Sequence, residues 1–432
     1  MKMKRYKVIV IGAGNRGTTY VQHMKTMPDK FQVVGVAEPI KVRRDNVRAM
    51  FGIPEENCYE SWEDILNKPK LADIAIISTM DHMHYEPALK AIEQGYHLLL
   101  EKPVAQTVQE CIDIALAAKK KGVEVLVCHV LRYAPFYKRV KELVMEGSIG
   151  DVVSITAVEA VGNLHQSHSY VRGDWHREEE TTPMLLAKCS HDLDIIQWLI
   201  EKPCEKVSSF GTLTYFVPEN APEGAPERCF EGGCPAQEDC PYSCEKVYLQ
   251  KNSAEFMRRA AGRGYSKAFV STDEEIRRAL RNNNFGLCVF KANNNVVDHQ
   301  IVNMEFAGGV TASLTMNAFN EGGRYIRIFG TKGELYANAS DTEITIFSFA
   351  TRKRTTVSVV KTDESITGGH GGGDQGIVEE LYEYFNGEYT GYCAANIDIS
   401  VQNNLIGYAA EQARHNDTVE NVAEFGKKYG YR

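Results

Sequence analysis

The sequence predicts an α/β protein in which a helix-covered parallel sheet is followed by a second α/β domain with a large open, mostly antiparallel sheet. Its first third alternates short apolar runs with amphipathic segments, whereas later runs are rich in β-branched residues. The 432 residues also exceed the roughly 100 to 200 that one domain usually takes. We expect domains at 1–130 and 131–432.

Regular spacing of apolar residues defines the first domain. Continuous apolar runs predict strands at Tyr6–Ile11, Gln32–Ala37, Ile74–Ser78, His97–Leu100 and Glu124–Cys128. Helical spacing between these runs predicts helices at Thr18–Met27, Val42–Phe51, Glu86–Gln94 and Val108–Lys120. Strands that are apolar throughout, rather than alternating, indicate a parallel sheet covered on both faces.

The second domain is predicted to be richer in strands. Helices are expected at Pro135–Glu146, Met184–Ile200, Gln375–Phe385 and Ser400–His415. The expected strands are Asp151–Val161, Val207–Phe216, Val297–Phe306, Val310–Ala318, Tyr325–Gly330, Glu343–Phe349 and Thr355–Val360. Residues from about 218 to 284 are interpreted as an irregular insertion containing proline, glycine and cysteine.

Composition argues against several classes of protein. The net charge of −8 gives no support for a nucleic-acid-binding face or a polybasic membrane anchor. No apolar run approaches the roughly 20 residues that span a bilayer. The apolar run at Val8–Ile11 is too short for a signal peptide. Apart from four that are clustered between positions 229 and 244, the cysteines are scattered along the chain, as in proteins with reduced thiols. We therefore expect a cytoplasmic location.

A glycine-rich turn follows the first predicted strand and opens the first predicted helix. Gly12 allows the tight turn, Gly14 lets the backbone approach a pyrophosphate, and Gly17 lets helix and strand pack closely. The free N–H groups at the helix start favour anions. We therefore predict a Rossmann domain that binds a dinucleotide, with Asn15 and Arg16 lining the cofactor.

Glu38 selects between the two nicotinamide dinucleotides. It ends the second predicted strand, close to the spacing of about 20 residues at which an acid binds the ribose hydroxyls. Because its charge would repel a 2′-phosphate, NAD is favoured over NADP. Lys41, Arg43 and Arg44 are cations that could bind that phosphate, although they also fit the solvated face of a helix.

Several further motifs carry a family resemblance. Glu101-Lys102-Pro103 follows the fourth predicted strand, and Ile77–His84 precedes the helix before it. With the glycine turn, with His129–Pro135 and with Ser190–Asp194, these motifs resemble the Gfo/Idh/MocA family of glucose–fructose oxidoreductase and inositol dehydrogenase relatives. The resemblance covers nearly the whole chain.

The resemblance implies hydride transfer between nicotinamide and a secondary hydroxyl of a sugar, glycoside or cyclitol held between the two domains. It also implies a homodimer or homotetramer that pairs through a sheet face. We expect the cofactor to be lined, beyond the glycine turn, by Thr79, His82, His84, Glu101 and Lys102.

Two residues are the expected catalytic groups. Lys102 matches the family's lysine, and burial near the positive nicotinamide should lower its pKa so that it takes the hydroxyl proton. Pro103 makes a tight cis turn plausible there. His191 is the second candidate, but Ala187 stands where the family commonly has an aspartate. This departure leaves the identity of the base open, and Lys188 follows as a second cation.

Other polar side chains are expected around the substrate. For each, ordinary packing or surface polarity remains the alternative. The candidates are Lys188, Arg132, Tyr133, Asp194, Arg172, Trp175, His299 and His370. The glycine-rich run around His370, from Gly368 to Gly373, suggests a close backbone approach to a ligand or a flexible hinge.

Four cysteines are clustered in the insertion. Cys229, Cys234, Cys240 and Cys244 could form a tetrahedral thiolate site for structural zinc. Their spacing is looser than paired C-x2-C motifs, so free or disulfide-paired thiols are the alternatives.

Two other functions remain open at the level of sequence. The same redox chemistry could be transient, with NAD oxidising a glycoside, the aglycone eliminated and the hydride returned, so that the net reaction is glycoside hydrolysis. The third hypothesis is a non-catalytic protein that binds NAD and a sugar. Its only support is Ala187, which stands where the family commonly has an aspartate.

Overall fold

The first domain is built on a parallel sheet. The computed structural model describes residues 4–266, 270–340, 343–359 and 370–431. Within them, six strands pair in the order β3-β2-β1-β4-β5-β6, all parallel. The strands are β1 Tyr6–Ile11, β2 Phe31–Ala37, β3 Cys58–Tyr59, β4 Ile74–Ile77, β5 His97–Leu100 and β6 Val125–Val127.

Helices connect these strands and cover the sheet, and the last helix of the series follows β6 and leads to the second domain. Their bounds are α1 Asn15–Lys25, α2 Lys41–Phe51, α3 Trp62–Leu66, α4 Tyr85–Glu93, α5 Val108–Lys121 and α6 Pro135–Met145. The strand order reverses between β1 and β4, and ligands of open α/β sheets bind beyond the carboxyl ends of strands at such a point. The glycine turn follows β1 at this position.

The second domain contains a larger sheet. In the described ranges, nine strands pair in the order β14-β13-β12-β11-β7-β10-β9-β8-β15, and only β7 and β10 run parallel. The strands are β7 Val152–Ala160, β8 Cys204–Thr212, β9 His299–Phe306, β10 Val310–Asn317, β11 Gly323–Gly330, β12 Gly333–Asn338, β13 Glu343–Ser348, β14 Arg354–Ser358 and β15 Glu420–Asn421.

The helices of the second domain tie it to the first. They are α7 Asn163–His165, α8 Met184–Ala187, α9 Ser190–Ile200, α10 Cys244–Tyr248, α11 Glu255–Ala261, α12 Asp273–Leu280, α13 Gly373–Asn386, α14 Ile397–Asn416 and α15 Val422–Lys427. The Tyr6 hydroxyl on β1 donates to Phe385 O at 2.7 Å. The Tyr408 hydroxyl on α14 donates to Ala105 O at 3.0 Å. The C-terminal helices therefore return to the Rossmann sheet.

One face of the nine-stranded sheet carries exposed side chains along the described strands β8 and β9. Along β9, buried side chains alternate with exposed or partly exposed ones, as expected when a sheet has one solvated face. Phe210 and Ile301 are opposite each other on β8 and β9 and are exposed. Pairing of two copies through this face stays a prediction.

Three expectations about the second domain need correction. The Met184–Ile200 helix is two helices, α8 and α9. The insertion is not wholly irregular, because α10, α11 and α12 lie in it. Strand β12 was not predicted, since glutamate, alanine and asparagine have low β-propensity, but pairing with strands on both sides imposes the conformation. Val360 of the last predicted strand lies outside the described residues.

Candidate active site

The glycine turn has the geometry that a dinucleotide requires. Gly12 has a φ of 87°, and a Cβ there would lie 2.5 Å from Ser78 O. A Cβ on Gly17 would lie 2.1 Å from Gly12 O. At Gly14, by contrast, a Cβ would meet only Arg43 Nη1, at 3.6 Å, so space is left beside the backbone. The start of α1 carries no acid in its first turn, and a pyrophosphate fits this combination of space and free N–H groups.

Glu38 is placed at this turn as an internal support. Its Oε2 accepts from Ala13 N at 2.8 Å, and Oε1 accepts from Ile40 N at 3.0 Å. The side chain is buried. The carboxylate therefore joins the end of β2 to the glycine turn, and a ribose hydroxyl would have to use its remaining lone pairs. Asn15 lies at the rim, where its Oδ1 accepts from Arg259 Nη2 at 3.2 Å.

Arg16 is engaged inside the protein rather than directed to the cofactor space. Its guanidinium pairs with Glu101 at 2.8 Å and with Asp374 at 2.6 Å. The Tyr20 hydroxyl donates to Glu101 Oε1 at 2.5 Å. Burial opposes ionisation of Glu101, but Arg16, Lys102 and the Tyr20 hydroxyl together lower the pKa of its carboxyl. This network fixes the residue that precedes Lys102.

Lys102 lies directly after β5 with its amine held in place. Its Nζ donates to Ala187 O at 2.6 Å, and its backbone N donates to Glu101 Oε2 at 2.9 Å. The Lys102–Pro103 peptide bond is cis. Desolvation lowers the pKa of Lys102, with Lys188 and Arg16 adding to the effect and Asp81 and Glu101 opposing it. A lysine with a lowered pKa can exchange a proton nearer to neutral pH.

The contact between Lys102 and Ala187 depends on the break between α8 and α9. In a continuous helix, Ala187 O would accept the N–H of His191. Here the helix is interrupted at Lys188 and Cys189. The Ala187 carbonyl accepts a hydrogen bond from the Lys102 amine instead. Ala187 therefore contributes its backbone, and its spacing from His191 does not place both on one helix face.

His191 begins the second of these helices and is buried beside two other histidines. Its ring lies 6.4 Å from that of His129 and 5.5 Å from that of His370, centroid to centroid. Burial lowers its pKa well below the usual value, and Lys102 and His370 add to the effect. Its Nδ1 has no hydrogen-bond partner within the described part of the chain. The lowered pKa favours the neutral ring, whose Nδ1 is buried.

Two expected substrate residues bind each other. Arg132 donates from Nε and Nη2 to the two carboxylate oxygens of Asp194, at 2.7 and 2.6 Å, and both side chains are buried. Such a bidentate pair satisfies both charges. Lys188 similarly lies 3.4 Å from Glu159. These residues order the walls of the site around Lys102 and His191.

Comparison with known proteins agrees with this geometry. The model of the Gfo/Idh/MocA oxidoreductase family, NAD-binding Rossmann fold, matches residues 6–129, and that of the family's C-terminal alpha/beta domain matches residues 141–419. The chain belongs to the Gfo/Idh/MocA family. It is thus an oxidoreductase with an NAD(P)-binding Rossmann domain.

Individual relatives lie at moderate similarity. The Bacillus subtilis protein YteT is 26% identical over 339 residues, which cover 75% of this chain and 74% of YteT. Scyllo-inositol 2-dehydrogenase (NADP(+)) IolW of the same organism is 27% identical, over 45% of this chain and 51% of IolW. Scyllo-inositol dehydrogenase from Lactobacillus casei, solved with NAD(H) and scyllo-inositol, shares the fold with a TM-score of 0.65 at 16% identity, covering 97% and 100% of the two chains.

In this member of the family, residues of the Ile77–His84 motif support the loop of Lys102. Ring nitrogens of His84 lie 2.8 Å from Pro103 O and 3.3 Å from Thr79 O. The Thr79 hydroxyl donates to Met83 O at 3.0 Å, whereas His82 is exposed. Their predicted contact with the cofactor stays a prediction.

His370 joins the cluster from the C-terminal segment. Its Nδ1 lies 3.1 Å from Asp374 Oδ2 and 3.3 Å from Arg16 Nη1. Burial lowers the pKa of His370, and Asp374 opposes the shift. Gly368 and Gly369 of the predicted glycine-rich run lie outside the described residues.

The remaining substrate candidates are dispersed. Trp175 Nε1 donates to Asp81 Oδ2 at 3.1 Å, which connects it to the Lys102 region. The buried Tyr133 hydroxyl lies near Tyr389 rather than Lys102. His299 pairs with Asp298 at 2.8 Å at the start of β9. For these last two, no contact with Lys102 or His191 occurs in the described ranges.

Arg172 is placed beneath the insertion instead of in the cleft. It is buried, and its guanidinium donates to the backbone carbonyls of Leu287 and Tyr242, both at 2.8 Å. Its expected role in holding substrate is therefore corrected to one of holding the insertion. Trp175 lies only three residues later but is connected to the Lys102 region. Nothing in the sequence indicated that these two residues are placed in different parts of the structure.

Several residues that surround the site were not selected from the sequence. Asp81 is buried and accepts from both Trp175 and the Thr182 hydroxyl. Arg324 on β11 pairs with Asp192 at 2.9 Å and also with Glu159. Asp81 lies inside the quoted Ile77–His84 motif, so its position was a usable signal. Arg324 is distant in sequence and carries no local motif.

The cysteine cluster differs in one member from the predicted set. Cys229, Cys234 and Cys240 line a small cavity, and the fourth cysteine there is Cys288. Cys244 does not line the cavity, although Cys229 Sγ accepts its backbone N–H at 3.3 Å, and its thiol donates to Phe285 O at 3.2 Å.

Proposed function

We propose that this chain transfers a hydride between NAD and a secondary hydroxyl of a sugar, glycoside or cyclitol, with Lys102 and His191 as the proton-handling groups. The observation that carries the proposal is their juxtaposition. A lysine with a lowered pKa follows β5 at the ligand edge of the sheet, next to a neutral histidine with an unpartnered Nδ1.

Lys102 is the proposed base for the hydroxyl proton. When bound, the cofactor supplies the hydride acceptor. Lys102 is partly exposed, and the bond of its amine to Ala187 O fixes where Nζ lies. Loss of a proton from the hydroxyl as its C–H bond breaks requires an acceptor within hydrogen-bond reach. The Glu101–Arg16–Asp374 network supports this role because it holds the backbone on which Lys102 stands.

His191 is proposed to orient the substrate hydroxyl. Its neutral ring can donate or accept a hydrogen bond, and nearby positive charge disfavours protonation. A second cation, Lys188, stands close enough to lower the pKa of Lys102. Together these groups stabilise a developing alkoxide without a carboxylate at position 187.

NAD is proposed over NADP because Glu38 stands at the end of β2. The carboxylate keeps a negative charge where the 2′-phosphate of NADP would approach. The named relatives support a polyol substrate, since an inositol dehydrogenase shares the fold.

A second candidate is glycoside cleavage by transient oxidation. The observation that favours it is His370, held by Asp374 and adjacent to His191. Two neighbouring imidazoles could remove the acidified ring proton and protonate the leaving group separately. In this reaction an aglycone appears without accumulation of NADH, whereas a dehydrogenase accumulates NADH in step with substrate oxidation.

The test is Lys102→Met, with Lys90→Met on the exposed side of α4 as the control. We expect turnover to fall by a factor of about 10²–10⁴, while the affinity for NAD is retained. Calorimetry measures that affinity and compares it with the affinity for NADP. The control should behave as wild type. Turnover near wild type in Lys102→Met would refute the assigned base, and tighter binding of NADP would refute the cofactor preference.

A further inference from the structure

We propose that Cys229, Cys234, Cys240 and Cys288 bind one structural zinc ion, which fastens the insertion to the second domain. Three of these cysteines lie early in the insertion, and Cys288 lies just after its end. One ion would therefore join both ends of the segment.

The four cysteines line one cavity. It measures about 20 Å³ and is also bordered by Arg172, Tyr242 and Phe290. A cavity of roughly 10–15 Å³ accommodates one water-sized sphere, so this space matches a single ion better than a multi-iron cluster. Four thiolates in a tetrahedron are a preferred ligand set for zinc.

The sulfur atoms are near one another but not yet in contact with a common point. Among the described residues, no three cysteine sulfurs lie within 4.8 Å of each other. Zinc–sulfur bonds of about 2.3 Å would bring them closer. Cys229, Cys234 and Cys240 are only partly buried, and we expect their side chains to turn into the cavity as the ion binds.

The first part of the insertion has little regular secondary structure. Between β8 and α10 the described backbone forms turns and one short 3-10 segment, Pro218–Asn220. A Gly233 φ of 67° and the bond from Cys240 N to Ala236 O belong to such turns. Segments with little regular structure commonly depend on a metal or another cross-link, because metal binding contributes directly to folding.

Arg172 provides charge compensation. Zinc with four thiolates carries a net charge of −2, which is unfavourable in a buried site unless a cation is near. The guanidinium is buried, borders the cavity, and interacts electrostatically with Cys244 and with the proposed ligands Cys229 and Cys288. Its Nη1 has no hydrogen-bond acceptor within the described residues. This explains why an arginine is buried beneath the insertion.

Cys244 supplies a matched comparison inside the same segment. It lies beside Cys229, whose Sγ accepts the Cys244 backbone N–H at 3.3 Å, but it does not line the cavity, and its thiol donates to Phe285 O. A substitution there removes a buried thiol of the insertion without removing a proposed ligand.

The ion would also stabilise the edge of the cofactor space. Helix α11 belongs to the insertion, and its Arg259 donates to Asn15 Oδ1 in the glycine turn at 3.2 Å. Arg263, just after α11, pairs with Asp174 at 2.5 Å. This consequence rests on the proposed function, whereas the presence of the metal does not.

The experiment is metal analysis by mass spectrometry of the full-length, untagged protein purified without chelator. We expect about one zinc per chain in wild type and Cys244→Ala, and loss of zinc in Cys240→Ala and Cys288→Ala. A wild-type protein with almost no metal, full zinc in a Cys234→Ala/Cys240→Ala double variant, or iron with labile sulfide would overturn the proposal.

A second measurement covers variants that fail to fold. Wild-type protein stripped of metal and titrated with Co²⁺ should develop the visible and thiolate charge-transfer absorption of tetrahedral cobalt at one equivalent. It should also regain thermal stability with added zinc, because a ligand that binds only the folded state stabilises it. Octahedral cobalt spectra or no spectral change would contradict the site. Neither readout depends on catalytic activity.

Discussion

The Arg132–Asp194 pair and the Lys102–His191 corner are both buried, but their polar atoms are used in opposite ways. Arg132 and Asp194 satisfy each other through two short hydrogen bonds. Lys102 reaches only a backbone carbonyl with its amine, and His191 leaves Nδ1 unpaired in the described structure. Unpaired buried polar atoms are unfavourable for folding and are kept where a ligand completes them.

Under the proposed function, this difference separates residues that hold the site from residues that act in it. Sequence motifs alone group Arg132, Asp194, Lys102 and His191 together. Their partners divide them, since a charge already neutralised by its neighbour has little capacity left for a substrate. Substitutions should therefore change stability on one side of the comparison and turnover on the other.

The largest effect on stability is expected for Asp194→Asn. It leaves Arg132 as an uncompensated buried charge, which should lower the free energy of unfolding by about 3–5 kcal/mol. Denaturant unfolding followed by circular dichroism measures this. As a control, Asp45→Asn removes an exposed partner of Lys41 and should leave the midpoint unchanged. An equally small change in both variants would show that the buried pair does not hold the fold.

His191→Gln should have the reverse pattern. Turnover is expected to fall by about 10²–10⁴, while the unfolding midpoint stays close to wild type because Nδ1 has no internal bond to lose. Steady-state kinetics and thermal unfolding together test this. His97→Gln, at the opposite end of β5 from Lys102, should retain activity. Substantial unfolding with unchanged turnover per folded molecule would instead make His191 a packing residue.

The smallest change is expected from Lys188→Met, and it concerns pH. Lys188 helps to lower the pKa of Lys102, after desolvation. Without this cation the pKa of Lys102 rises, so less of the amine is deprotonated at a given pH. The pH profile of kcat/KM for alcohol oxidation should therefore move to higher pH. Lys188→Arg keeps the charge and should leave the profile in place; an unmoved profile in Lys188→Met would show that Lys102 is not the titrating group.

Local pattern was sufficient for most of the regular elements. The predicted bounds of β1 and β5 agree with the structure because each is a short, wholly apolar run between turn residues. The helix from Met184 to Ile200 was wrong in its middle, because apolar spacing continues across Lys188 and Cys189 while the backbone does not. Periodicity reports which face is buried, not whether every carbonyl is bonded within the helix.

By itself, the sequence determined the glycine turn and the approximate place of the proposed chemistry. Glycine is required at positions 12 and 17 because a Cβ there would overlap backbone atoms. Such local steric constraints can be recognised from a sequence motif. Lys102 and the cis turn at Pro103 were both predicted, because the two residues are adjacent in one short motif.

Only the tertiary structure decided which polar groups are already occupied. In the structure Arg132 pairs with Asp194, and Arg172 binds backbone carbonyls at the insertion. The Ala187 carbonyl accepts from Lys102, and Cys288 rather than Cys244 lines the cavity. These partners are separated by dozens of residues, and hydrogen bonds and charge pairs depend on distance in space. No local spacing encodes them, so the choice between a holding and an acting residue required the folded chain.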